Sequence, residues 1–374
     1  MAQHKKNVKI CFIAPKAYPL FNPDIKKVFG GAEVDLYLLA GTLAKDEKFE
    51  VSFIVADYGQ KKFEKIKNVN IIKSLDFKQN PLTSAIKIWN ALKTANADIY
   101  MIKTASMGMS LVAFFCKFKN KIFIYRTASQ RECDGTYLKQ NRIAGKLFSF
   151  SLRKTTQIVT QNQNDRKNLK KTIGIESIVI PNAHHLPRLE NLKRDTILWV
   201  GRSAKVKRPD LFIELAEKLP NEKFVMICQH ATGDSSYGQL IEKTEKIDNL
   251  EFIKHVPFKQ VDDFFLKAKV FVNTSDSEGF PNTFIQACKC ATPILSLRVN
   301  PDNFISDFNC GICANGNWNG FLQQLKELLL PEKQLEYGRN ARKYAEQKHD
   351  IKKTAEIYKK LFSDLLLFEH GRLS

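Results

Sequence analysis

The sequence predicts an α/β chain of two doubly wound domains, and three observations predict it. Short apolar runs alternate with longer helix-like stretches along the first half of the chain. The same alternation begins again at residue 196. Between the two series, residues 181–195 (PNAHHLPRLENLKRD) hold two prolines, many polar residues and no periodicity, which reads as a linker. Near-continuous apolar strands separated by helices imply parallel sheets covered on both faces. A length of 374 residues accommodates two domains of ordinary size.

The elements follow in order. Strand candidates in the first half are 8–14 (VKICFIA), 50–56 (EVSFIVA), 69–73, 98–102 (DIYMI), 121–125 (KIFIY) and 156–160. Helix-like stretches lie at 31–44, 82–95, 106–117 and 137–153. The second half opens with TILWV (196–200) and a helix at 208–218. KFVMIC (223–228), LEFI (250–253), KVFVNT (269–274) and TPILSL (292–297) supply its other strands. The stretch 331–368 is helical, and no strand follows it. The expected domains are 1–187, joined by a helix at 350–374 that crosses back to it, and 188–349. Two such domains would leave a cleft at the carboxyl ends of their strands, where ligands bind in open α/β sheets.

Hydrophobic residues make up 44% and charged residues 26%, a composition that excludes a disordered chain. Lys and Arg number 59 against 39 Asp and Glu, a formal charge of +20. Such a charge fits either a solvated Lys-rich surface or attraction to an anionic partner. No apolar stretch approaches the ~20 residues of a membrane-spanning helix. The N-terminus shows no secretory signal, so the eight cysteines are expected to be reduced in a cytoplasmic protein. Cys288, Cys290, Cys310 and Cys313 have zinc-like spacing, but the first pair lies in an apolar helix-like run that suits small buried residues.

Three segments carry candidate chemistry. Gly30 and Gly31, in FGGAE, open a helix, where glycine permits close approach and the free N–H groups favour an anion. The spacing is not GxGxxG, which disfavours a nicotinamide enzyme. In WVGRSAKVKRPDLF (199–212), a strand ends at Val200 and a helix starts near Arg208 or Pro209; Gly201, Arg202 and Lys207 lie in the connecting loop at the strand's carboxyl edge. Two cations at that edge can hold a diphosphate. The third segment, NTSDSEGFPNTFIQACKCATPILSL (273–297), places Glu278, Gly279, Phe280 and Pro281 in a loop. Asn282 and Thr283 stand at the following helix start, and Gln286 lies on the helix. Backbone N–H groups there can hold phosphate and sugar oxygens without a metal ion.

These residues resemble the family 4 retaining glycosyltransferases of GT-B architecture, with two Rossmann-like domains, over most of the chain. The likeness is strong over 196–300 and weak before 150. The family's GR…K pattern is matched by Arg202 and Lys207, which implies contact with the donor diphosphate. Its PNG crossing is matched by Pro181-Asn182-Ala183. Its EGFP…E signature is matched by Glu278 to Pro281, which implies that Glu278 lies by the donor sugar. The second Glu, which binds ribose in the family, is Gln286 here; an amide can accept from one hydroxyl and donate to another. The EGFPNTF-x-QA form resembles a subgroup of bacterial surface polysaccharide assembly. Many members place a His after the strand corresponding to 121–125. YRTASQRECDG has none, and Arg126 or Asp134 is the expected substitute.

The resemblance implies transfer of a sugar from a nucleotide diphosphate sugar to a glycan or polyprenyl-linked acceptor. No Asp-x-Asp occurs, so no metal or other cofactor is required. FFCKFKNK (114–121) and GKLFSFSLRK (145–154) mix apolar and basic residues and suit either buried helix faces or peripheral docking at the cytoplasmic face of an anionic membrane. Two other readings stand: a sugar-nucleotide epimerase on the same fold, and a basic nucleic-acid-binding protein. The second needs aromatic residues interleaved with cations along a groove, whereas most Phe fall in strands and helix cores. No nucleic acid is therefore expected as a partner.

Overall fold

The structure, a computed structural model, describes residues 7–140, 142–189, 193–231 and 233–373. It divides into two compact units: Met1–His185 with Ile351–Ser374, and Leu186–Asp350.

The first unit is built on β1 (Val8–Ile13), β2 (Phe49–Val55), β3 (Phe63–Ile66), β4 (Val69–Lys73), β5 (Ile99–Lys103), β6 (Ile122–Arg126), β7 (Gln157–Thr160) and β8 (Ile178–Val179). Their order is β3-β4-β2-β1-β5-β6-β7-β8. β3 alone runs antiparallel, against β4. It escapes the apolar pattern because FEKI is an edge strand with charges on it. The two residues of its hairpin, Lys67 and Asn68, both have positive φ, which suits a tight turn between twisted strands. One face of this sheet buries Cys11, Ile13, Ile54, Tyr100, Ile102, Phe123 and Tyr125 beneath flanking helices.

The second unit is built on β9 (Thr196–Arg202), β10 (Lys223–Gln229), β11 (Leu250–Ile253), β12 (Ala268–Asn273), β13 (Ile294–Ser296) and β14 (Gly311–Cys313). They lie parallel in the order β11-β10-β9-β12-β13-β14. Alternate residues feed two separate cores. Leu198, Val225 and Ile227 pack on one face. Ile197, Trp199, Phe224 and Met226 pack on the other. The strand order reverses between β9 and β12, which makes their carboxyl ends the ligand-binding crevice of such a sheet.

The stretch expected to be helical over 331–368 is two helices, Pro331–Lys348 and Ile351–Leu373, broken at His349 and Asp350. The second belongs to the first unit. There Lys359 pairs with Asp46 at 2.8 Å and Phe362 meets the Phe49 ring at 6.5 Å. Ile351 N donates to His184 O at 3.0 Å, which fastens its start. Among the described residues, no helix is long and apolar enough to cross a membrane.

Candidate active site

At the reversal point of the second unit, β9 ends in Gly201-Arg202 and β12 ends in Asn273. Trp199 sets the local geometry. Its Nε1 donates to Thr274 Oγ1 at 3.0 Å, and its ring lies across Gly201. A Cβ at 201 would stand 2.6 Å from a ring carbon, so only glycine fits. Gly201, expected to face a ligand, therefore has a packing reason of its own. The Thr274 hydroxyl also faces the carbonyls of Lys207 and Arg208, each at 2.8 Å. Asp276 N donates to Val206 O at 2.8 Å. These bonds hold the loop after β9 against the loop after β12.

That clamp brings two sequence-predicted residues together. Lys207 Nζ pairs with Glu278 Oε2 at 2.5 Å. Glu278 Oε1 accepts from Ser275 Oγ at 2.7 Å and Asn273 Nδ2 at 3.1 Å. Three donors thus fix one carboxylate, and it keeps some access to solvent. Ser275 and Asn273 had not been singled out in the sequence, although both stand in the same NTS run. Arg202 is exposed, and its guanidinium has no protein partner among the described residues. A free fork and a tethered ammonium at one strand edge are suited to a diphosphate.

The helix Asn282–Lys289 starts three residues after Gly279, with Pro281 before it and no side chain capping it. Asn282 and Thr283 are half-buried at its start. The N–H groups and dipole of a helix start favour an anion. Phe280 differs from the rest: its ring packs on Phe304 at 5.2 Å and His349 at 4.9 Å. Its side chain anchors the loop in the core, so any ligand contact from Phe280 is a backbone contact. Gln286 is buried, and its Nε2 lies 3.4 Å from Asp262 Oδ1. Asp262 Oδ2 takes an ion pair from buried Lys289 at 2.5 Å. Asp262 was invisible in the sequence, because it lies 24 residues before Gln286 on another helix. Cys288 and Cys290 are buried, and burial pushes both thiols up, Cys290 to about 12.

Two histidines stand near the ends of neighbouring strands. His230 follows β10, stacks on Tyr237 at 4.8 Å and meets Asp234 O at 2.8 Å. His255 follows β11, with Gln229 Nε2 at 3.2 Å from its Nδ1.

The first unit corrects one expectation and narrows another. Arg126, expected near a reacting sugar, is 1% exposed. Its Nε bonds Asp35 at 2.6 Å. Its two terminal nitrogens bond Ile180 O, the Tyr358 hydroxyl and Asn182 Oδ1. A guanidinium so occupied is a structural ion. Lys103 Nζ joins it, 2.9 Å from Asp35 and 2.8 Å from Asn182. Burial works against the Asp35 carboxylate, but Arg126 and Lys103 outweigh it and hold its pKa below the usual range. Burial pulls the Lys103 ammonium down to about 8. Asp134 is half-buried and accepts from Thr136 N at 2.9 Å. Gly30 and Gly31 do open the helix Gly31–Leu43, but Gly30 N already donates to Glu33 Oε2 at 2.9 Å. The chain's own carboxylate thus takes one of the amides expected to meet a phosphate.

Residues 183–348 match the family model described as glycosyl transferases group 1. D-inositol 3-phosphate glycosyltransferase 2 of Catenulispora acidiphila is 25% identical over 47% of this chain and 46% of its own length. The chain spans under half the length of the first two curated relatives it matches. Among solved structures, sucrose-phosphate synthase of Thermosynechococcus elongatus aligns with a TM-score of 0.80 at 15% identity, over 96% of this chain and 100% of its own. WaaG, a glycosyltransferase involved in lipopolysaccharide biosynthesis, aligns with a TM-score of 0.67 at 17% identity, over 93% and 99%. The fold is the two-unit α/β GT-B fold, and residues 183–348 are similar to the group 1 glycosyl transferases.

Proposed function

We propose, from the group 1 glycosyl transferase match of residues 183–348, that this chain is a retaining glycosyltransferase. It moves a sugar from a nucleotide diphosphate carrier to a glycan or lipid-linked acceptor in cell-surface polysaccharide assembly. The observation that carries the reading is the Lys207–Glu278 pair beside Arg202 at the reversal point of the second sheet. The WaaG likeness is in keeping with the polysaccharide role.

The chemistry follows from charge. As the anomeric carbon–oxygen bond breaks, the sugar gains positive charge and the nucleoside diphosphate gains negative charge. Arg202, Lys207 and the start of the helix Asn282–Lys289 meet the leaving group, which lowers the barrier only if they are already in place. The Thr274 and Asp276 bonds, which tie the Lys207 loop to the loop after β12, support this reading. The departing phosphate oxygen takes the acceptor hydroxyl's proton as the new bond forms. Glu278 orients the donor sugar while its charge steadies Lys207. Gln286 faces the ribose. The cations meet the diphosphate charge without a divalent ion, and the enzyme works at the cytoplasmic face of a membrane.

Turnover with a nucleotide-sugar panel tests this reading. Arg202→Ala, Lys207→Ala and Glu278→Ala are each expected to lower kcat/KM by roughly 10- to 1000-fold. Unchanged turnover in all three overturns the assignment. Chelation by EDTA is expected to leave the wild-type rate unaltered, and abolition of activity restored by a divalent ion overturns the metal-free reading.

A further inference from the structure

Three neighbouring helices of the first unit carry no Asp or Glu at all: Pro81–Ala95, Met107–Phe118 and Arg142–Lys154. They carry seven Lys or Arg. Elsewhere the surface is mixed, as on Pro331–Lys348, where Glu332, Glu336 and Glu346 lie among the cations. The acid-free helices also expose large apolar side chains at helical spacing. Leu82 and Ile86 lead to Trp89 on the first. Met107, Phe114 and Phe118 follow one stripe on the second. Ile143 and Phe150 do so on the third.

The stripes form one surface. Trp89 meets the rings of Phe114 and Phe118 at 6.1 and 6.3 Å. Ser151 Oγ donates to Ser110 Oγ at 3.0 Å, which joins the second helix to the third. Lys119 Nζ lies 5.0 Å from the Phe118 ring centre and Lys154 Nζ 5.8 Å from that of Phe150. The ammonium groups of Lys117 and Lys154 stand side by side, and the charge of Lys117 lowers the pKa of exposed Lys154. No acid on these helices offsets that positive charge, so the face is complementary to an anionic surface.

We propose that this three-helix face docks on a bilayer that displays anionic headgroups. The apolar content decides for lipid over nucleic acid. Leu82, Ile86, Met107 and Ile143 are aliphatic; they cannot stack on bases but enter an acyl boundary readily, while lysines beside the rings reach the headgroups. The face deepens the proposed lipid-linked acceptor, on which it rests for its role though not for its pattern of charge and apolar area.

The test is flotation of the full chain with vesicles of phosphatidylcholine alone or mixed with phosphatidylglycerol. Binding is expected only with the anionic lipid, and to fall with salt. Lys117→Ala and Lys154→Ala are each expected to weaken it about fivefold, the equivalent of about 1 kcal/mol per cation. Phe114→Ser with Phe118→Ser is expected to weaken it at least as much, with the circular dichroism spectrum and thermal-shift response to nucleotide sugars unchanged. Equal binding to neutral vesicles, no effect of either set, or retention on DNA in preference to anionic vesicles overturns the proposal. Nucleotide-sugar response is read separately, so failure here is distinct from failure of the transferase reading.

Discussion

A methyl group at position 201 has no room. The Trp199 ring that blocks it is held by its bond to Thr274, and the same hydroxyl holds the Lys207 loop. Gly201→Ala must push the indole aside and loosen that clamp. It is expected to cost about 1–3 kcal/mol, the usual range for overpacking a tight core. Urea denaturation followed by circular dichroism checks it; a midpoint equal to wild type refutes the packing argument. At this scale the sequence was legible where the contacts join short segments at strand ends. Glu278 and Lys207 are read from short segments at strand ends, and they meet. It misled at Arg126, because the partners that bury it come from positions 35, 180, 182 and 358. No window of sequence holds them together.

Elements are tied by ion pairs whose two ends differ in environment, and the difference predicts an asymmetry. Asp262 on the helix Val261–Lys267 binds Lys289 on Asn282–Lys289. The Lys289 side chain is 3% exposed and that of Asp262 26%. Asp262→Ala strands a buried ammonium, for which breaking a buried pair costs roughly 3–5 kcal/mol. Lys289→Ala leaves a carboxylate that water can still reach, so its cost is expected to be smaller. The double variant is expected to be more stable than Asp262→Ala alone. Equal losses in the two single variants, measured by urea melts, refute this. Gln286 would also lose its neighbour in Asp262→Ala, so a weaker thermal-shift response to nucleotide sugars is expected. Long apolar elements were legible from the sequence. The edge hairpin of β3 was not, because charged edge strands lack the apolar run that marks a strand.

Over the whole molecule, the buried charges of the first unit gather chain segments from end to end, and this sets both its pH response and its dependence on the C-terminus. The Lys103 ammonium falls to about 8 through burial, with Arg126 adding to the effect and Asp35 opposing it. An unfolded chain keeps its proton to about 10.4. Between those values the unfolded state binds a proton that the folded state has released, so stability from this group rises with pH across that window. Lys103→Met is expected to flatten the rise of the urea midpoint between about pH 7.5 and about pH 9.5. Parallel curves refute it. The same network reaches Tyr358, on a helix whose chain first passes through the second unit. Deleting Ile351–Ser374 takes that hydroxyl from Arg126, the Lys359 partner from Asp46 and the Phe362 ring from Phe49. The two cores of the second unit contain none of the deleted residues. Hydrogen exchange is therefore expected to accelerate in β1 and β2 and to stay slow in β9 and β10. Uniform acceleration of both sheets would mean that the two units unfold as one, and unchanged protection in β1 would mean that the helix contributes nothing to the sheet it covers.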